Sequence, residues 1–119
     1  MDLGQFSISL PVKNMEVSLD FYQNLGFEVI DGGHMNEGFP DSESSIWRIL
    51  KSGNAVIGLF YGMFQDAIMT FNPKDVRSIQ KTLKERGVSL LKEANESTTR
   101  PDHIIMTDPD GNQIMLDQH

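Results

Sequence analysis

Two stretches of this sequence follow one plan. Residues 6–27 read FSISLPVKNMEVSLDFYQNLGF and residues 67–88 read AIMTFNPKDVRSIQKTLKERGV. Each gives a short apolar strand, a polar turn, an amphipathic helix, a glycine stop and the start of another apolar strand. The two stops, Gly26 and Gly87, lie 61 residues apart (87 − 26). The same offset pairs Leu10 with Phe71, Asn14 with Asp75, Met15 with Val76, Tyr22 with Leu83 and Phe27 with Val88. A repeat of this length is a supersecondary module and constrains the fold more than any single motif. Two half-sheets brought together would leave a cleft, the natural place for a site.

The local patterns fill in the modules. Phe6, Ile8, Leu10 and Val12 alternate with Ser7, Ser9 and Pro11, the period of a half-buried strand. Asn14 is placed to cap a helix, whose stripe reads Val17, Phe21 and Leu25, widened by Met15, Leu19 and Tyr22. Strands are expected at 27–31, 46–51 and 55–61, with a mobile loop at 31–45, which is rich in Gly, Asp, Ser, Glu and Pro. In the second module Asn72 is expected to cap, with Pro73 at the first helical position and Val76, Ile79 and Leu83 buried. Further strands are expected at 88–91, 103–107 and 112–117. The last two are joined by Asp108-Pro109-Asp110-Gly111, a strong hairpin signal. The expectation is a single α+β domain, residues 1–119. It would comprise two βαβββ modules, about 5–62 and 66–119, forming a curved mixed sheet around a cleft.

Composition narrows the function classes. A chain of 119 residues is long enough for one proper core. It has no cysteine, which excludes disulfides, thiolate metal sites and a Cys nucleophile and fits a cytoplasmic setting. A net charge of −7 argues against a nucleic-acid partner. The opening MDLGQFSI is unlike a signal peptide, and no apolar run reaches the roughly 18 residues of a membrane span.

Three stretches, SLPVKNMEVSLDFYQNLGFEV, TFNPKDVRSIQKTLKERGV and DPDGNQIMLDQ, resemble the vicinal oxygen chelate superfamily, the glyoxalase/bleomycin-resistance/dioxygenase family. The resemblance rests most on Ser18, Phe21, Tyr22, Leu25, Gly26 and Phe27 together with the terminal DPDGN hairpin. It implies paired modules around a cleft. It also implies, in the metal-using enzymes, four His, Gln or Glu ligands, one on the first and one on the last strand of each module. Carried onto this sequence, those positions are Ser7, Gly58, Ile68 and Met115. None offers an imidazole nitrogen or carboxylate oxygen, so no metal and no cofactor is expected. The resemblance further implies a homodimer.

Other residues are weighed against plain structural roles. Ser7, Ser9, Thr70 and Met115 have cleft parity, as does Asp117. His34, His103 and His119 share no ligand motif, and His103 is the best placed to reach a cleft. Asp117 and His119 could form an acid/base pair, against the alternative of a frayed terminus. Trp47 and Phe60 could stack on a ligand or simply pack, and Met63 and Phe64 could meet another subunit. Asn72 is assigned to its helix cap, and the polar run Glu96–Arg100 needs no special role. DPDGN lacks the length and distal Glu of a calcium loop.

Two functions follow. One is metal-independent binding of an unidentified small molecule, of the bleomycin-resistance type, by Ser7, Ser9, Trp47, Phe60, Thr70, His103, Met115 and Asp117. The other is a lactoylglutathione lyase-like lyase or isomerase using an atypical metal site or the acid/base groups His103, Asp117 and His119.

Overall fold

A computed structural model describes all 119 residues, Met1–His119. Seven strands and two helices follow in the order β1 (Gln5–Pro11), α1 (Met15–Asn24), β2 (Glu28–Gly32), β3 (Ile46–Ser52), β4 (Ala55–Tyr61), β5 (Ile68–Asn72), α2 (Val76–Glu85), β6 (Asp102–Thr107) and β7 (Gln113–Gln118). The chain divides into two compact units. The first is Ser7–Ala67, and the second joins Met1–Phe6 to Ile68–His119. No helix is long and apolar enough to cross a membrane.

In the first unit the strands run in the order β2-β3-β4-β1. The β2/β3 and β3/β4 pairs are antiparallel and β4/β1 is parallel. Alternation sends Ile57, Leu59 and Leu50 to one face, where they bury Met15 of α1. Asn14 caps the helix as its sequence predicts, accepting from the Val17 N–H at 3.2 Å. At the other end Gly26 takes φ +98, and the Phe27 N–H reaches back to the Tyr22 carbonyl at 3.1 Å. That six-to-one bond is a Schellman closure, which needs the left-handed residue.

The helix is rotated from the expected stripe. Val17, Phe21 and Leu25 stay 65%, 59% and 61% exposed, while Met15, Leu19 and Tyr22 carry the contact with the sheet. At 100° per residue, the row at 17, 21 and 25 lies about 200° from the row through 15 and 19. Both rows have helical spacing, and the cap fixes which one turns inward.

In the second unit the order is β5-β7-β6, parallel then antiparallel. Val76 and Ile79 of α2 pack on Ile104, Met106 and Leu116, with Leu83 at the margin, as expected. Two expectations fail. The helix cap is Asp75, accepting from the Ser78 N–H at 3.1 Å, and Asn72 belongs to β5. The repeat offset that pairs Asn14 with Asp75 pointed to this, and Pro73 misdirected it. The segment 88–91 forms no strand; only the isolated bridge Lys92↔Ile105 follows it. Leu91 is among the most exposed apolar residues of the chain, so the segment has nothing to alternate against. This module is therefore βαββ.

Gln80, unremarked in the sequence, is fully buried on α2. Its amide spans the turn at Ala94, donating to the Ala94 carbonyl (3.1 Å) and accepting from the Ala94 N–H (2.7 Å). It thus does for the 86–101 connection what backbone pairing would do for a strand.

Candidate functional site

Each unit turns one sheet face to its helix and leaves the other to the remaining chemistry. In the first unit that second face carries the register rows Ser9–Gly58–Ile49 and Pro11–Phe60–Trp47. Ser7 and Ser9 are buried on it. Trp47 stacks on Phe60 (centroids 6.4 Å, planes 8° apart), and Phe39 and Phe64 extend the aromatic cluster. Trp47 is only 8% exposed, and its indole N–H donates to the Phe39 carbonyl at 2.8 Å. Its role here is packing and anchorage.

The same contacts tie down the segment 33–45, expected to be mobile. Asp41 accepts from the Trp47 N–H (3.3 Å) and from Arg48 Nη1 (2.8 Å), and Gly33 bonds the Trp47 carbonyl (3.1 Å). Composition marked a loop but could not show its fastening, because Asp41 and Arg48 meet only after β3 has paired.

Phe60 also settles what Gly58 can do. A Cβ at Gly58 would stand 2.5 Å from Phe60 Cε2, so the ring lies where a side chain at position 58 would begin. Ser7 offers one buried hydroxyl. On the second unit Ile68 and Met115 offer no hard donor. No group of three or more His, Asp or Glu side chains anywhere is arranged to hold a metal ion. The donor set does not fit a divalent metal.

In the second unit the face away from α2 carries Thr70–Met115–Ile105 as one row. The next row holds His103 directly opposite Asp117, with Asn72 on the far side of β7, one step beyond the Phe71↔Leu116 pair. Thr70 is buried and Met115 half-buried. Asn72 Nδ2 lies 2.9 Å from the Asp117 carbonyl and 3.0 Å from His119 Nε2. It thus holds the end of β7 and the His119 ring together. Having been assigned to a cap, Asn72 was missed as a member of this group.

Lys92 and Asp102 were also missed, since a polar connection gives no register. Lys92 Nζ bonds Asp102 Oδ1 (2.5 Å) and the His103 carbonyl (2.9 Å), and lies 3.5 Å from His103 Nδ1. Asp102 is held far below the ordinary carboxylate range by Lys92 and by the N–H groups of Asn95 and His103.

Asp117 behaves in the opposite way. Burial raises its pKa, and the positive groups His119, His103 and Lys92 offset this only in part, with Asp102 opposing them. Its carboxylate accepts no hydrogen bond from the protein. The other singled-out groups are structural. Asp108 closes the hairpin through Asp110, Asn112 and Gly111 (φ +89), and Arg77 gathers the 95–100 segment through Asn95, Thr98 and Arg100. His34 is an exposed loop residue.

This architecture recurs among solved structures. Methylmalonyl-CoA epimerase from Streptomyces coelicolor, in complex with 2-nitronate-propionyl-CoA, superposes with a TM-score of 0.67 at 17% identity, covering 98% of each chain. A glyoxalase/bleomycin resistance protein/dioxygenase superfamily member from Vibrio splendidus 12B01 gives 0.64 at 16% identity, covering 96% of this chain and 97% of its own. A hypothetical protein from Bacillus halodurans C-125 gives 0.69 at 14%, covering 95% and 91%. At such identities the likeness is one of fold, a mixed α+β fold of the class expected from the sequence. Residues 4–116 match the Glyoxalase/Bleomycin resistance protein/Dioxygenase superfamily, and the chain belongs to it. No curated protein matches the sequence.

Proposed function

We propose that this protein binds a small organic molecule, in the cytoplasm, with its own side chains in place of a divalent metal. The observation that carries the reading is the Asp117 carboxylate, half-buried and without a protein donor, in one row with Asn72 and His103. A partly desolvated carboxylate left unpaired is costly, by about 1–3 kcal/mol, and a ligand N–H or O–H would offset that cost. The neighbouring imidazoles could serve a ligand acceptor, and Met115, Ile105 and Thr70 offer it a mostly apolar floor. The ligand class is thus a hydroxylated or amine-bearing molecule with an apolar part.

Two measurements test this. Protein purified without chelator should contain no stoichiometric Zn²⁺, Ni²⁺, Mn²⁺ or Fe²⁺; a full equivalent of any of them would sink the reading. Ligand-observed NMR with a panel of polyols and primary amines should give hits that Asp117→Asn abolishes. Hits indifferent to that substitution would move the site elsewhere.

One observation favours a second reading, a glyoxalase-like lyase or isomerase working by acid/base chemistry. Asp117 has a raised pKa and two imidazoles nearby, the environment of a proton-exchanging group. On this reading Asp117→Asn would remove turnover while leaving binding of the same compound measurable.

A further inference from the structure

Helix α1 carries an apolar row that its own unit does not cover. Val17, Phe21 and Leu25 follow one another at i, i+4 and i+8, all more than half exposed. The repeat supplies an internal control. At the same offset of 61 residues, α2 and its cap carry Ser78, Thr82 and Arg86. Both helices cover a sheet, so the slot in the fold can be filled with a polar outer row. The apolar row of α1 therefore serves something other than folding of the unit.

We propose that this row is the contact between two copies of the chain, paired antiparallel about a two-fold axis at Phe21. The spacing is self-complementary. Four residues lie between Val17 and Phe21 and four between Phe21 and Leu25, so a two-fold rotation sets Val17 against the partner's Leu25 and Phe21 against the partner's Phe21. Antiparallel helices also oppose their dipoles favourably.

Charge agrees with this order. Lys13 precedes the helix and Glu28 follows it, so the rotation brings each Lys13 toward the partner's Glu28. The apolar patch does not stop at the helix. A shallow groove of about 300 Å³ begins at Gly26 and runs by Glu28 and the half-exposed Ile30 to Lys51. One helix face alone would fall short of the ~800 Å² that each partner of a stable complex contributes, and the groove extends the contact toward that size. The outer face of α2 has no such continuation.

The test uses sedimentation equilibrium and crosslinking. The wild-type chain should sediment at twice 13.4 kDa. The triple variant Val17→Ser, Phe21→Thr, Leu25→Arg takes its residues from the sister helix and should sediment as a folded monomer, with unchanged circular dichroism. As the chain has no cysteine, Phe21→Cys should form a disulfide-linked dimer in air, while Ser78→Cys on α2 should not. A monomeric wild type overturns the proposal. So does a triple variant that stays dimeric, or crosslinking that is as fast at position 78 as at position 21.

Discussion

The helices α1 and α2 occupy equivalent places in the two units, start from equivalent caps and end on equivalent glycines, yet they invert each other's chemistry. Outside, α1 is apolar at Val17, Phe21 and Leu25, where the corresponding positions of the second unit are Ser78, Thr82 and Arg86. Inside, α1 presents Leu19 to its sheet where α2 presents the buried amide of Gln80. The fold prescribes only that one row of each helix faces a sheet. What that row must satisfy depends on what lies beside it, and what the outer row carries is free for other uses.

The largest expected effect breaks or keeps that distinction directly. Ile79→Ala, on the inner row of α2, should cost about 2–4 kcal/mol of unfolding free energy in urea titration. Val17→Ser, on the outer row of α1, should change dilute, monomeric protein by less than about 0.5 kcal/mol. Similar losses at both positions would mean that the outer row supports the unit after all.

Next comes the inner pair. Gln80→Leu gives α2 the residue that α1 uses, and strips both backbone groups of Ala94 of their partner. A loss of about 2–3 kcal/mol is expected, with faster amide hydrogen exchange at Ala94. A neutral result would show the connection to be held elsewhere, for instance through Arg77.

Two carboxylates of the second unit sharpen the contrast between structural and poised groups. Asp102 has a depressed pKa, so its contribution is present above the ordinary value near 3.8 and lost as pH falls through the lower folded value. Asp102→Asn should cost about 1–2 kcal/mol at pH 7, a difference that shrinks on acidification. Asp117 has a raised pKa, so its contribution is complete below about 3.8 and is lost as pH rises through the raised value. Asp117→Asn should therefore stabilise the protein slightly at pH 7, by less than about 1 kcal/mol, and remove part of the pH slope. Urea melts at several pH values separate the two signs. A destabilised Asp117→Asn variant at neutral pH would make that carboxylate structural.

Much of this was legible in the residues themselves. Gly26, Gly87, Asn14 and the DPDG turn act through local backbone geometry, so their readings survive. The strand parities of Ile57, Leu59, Ile114 and Leu116 also survive, because a period of two leaves little choice. The face of α1 did not, since two rows with helical spacing compete and only the sheet decides between them. Asn72 was misread because a cap and a strand end look alike before Pro. Lys92, Asp102 and Gln80 were invisible for a common reason. Their partners, His103, Asn95 and Ala94, lie across long-range pairings or irregular turns that no local pattern encodes.

The ring of Phe60 over Gly58 has a bearing on how this chain could change. Adding a carboxylate at position 58 alone drives its first carbon into the ring, and trimming the ring alone opens a void beside Trp47. Either order passes through a damaged intermediate. With Ile68 and Met115 also apolar, a return to metal chemistry would require several coordinated replacements, none of which helps by itself. In mutational terms the aromatic cluster works as a ratchet, and natural drift would more readily elaborate the chemistry around Asp117 than rebuild a metal centre.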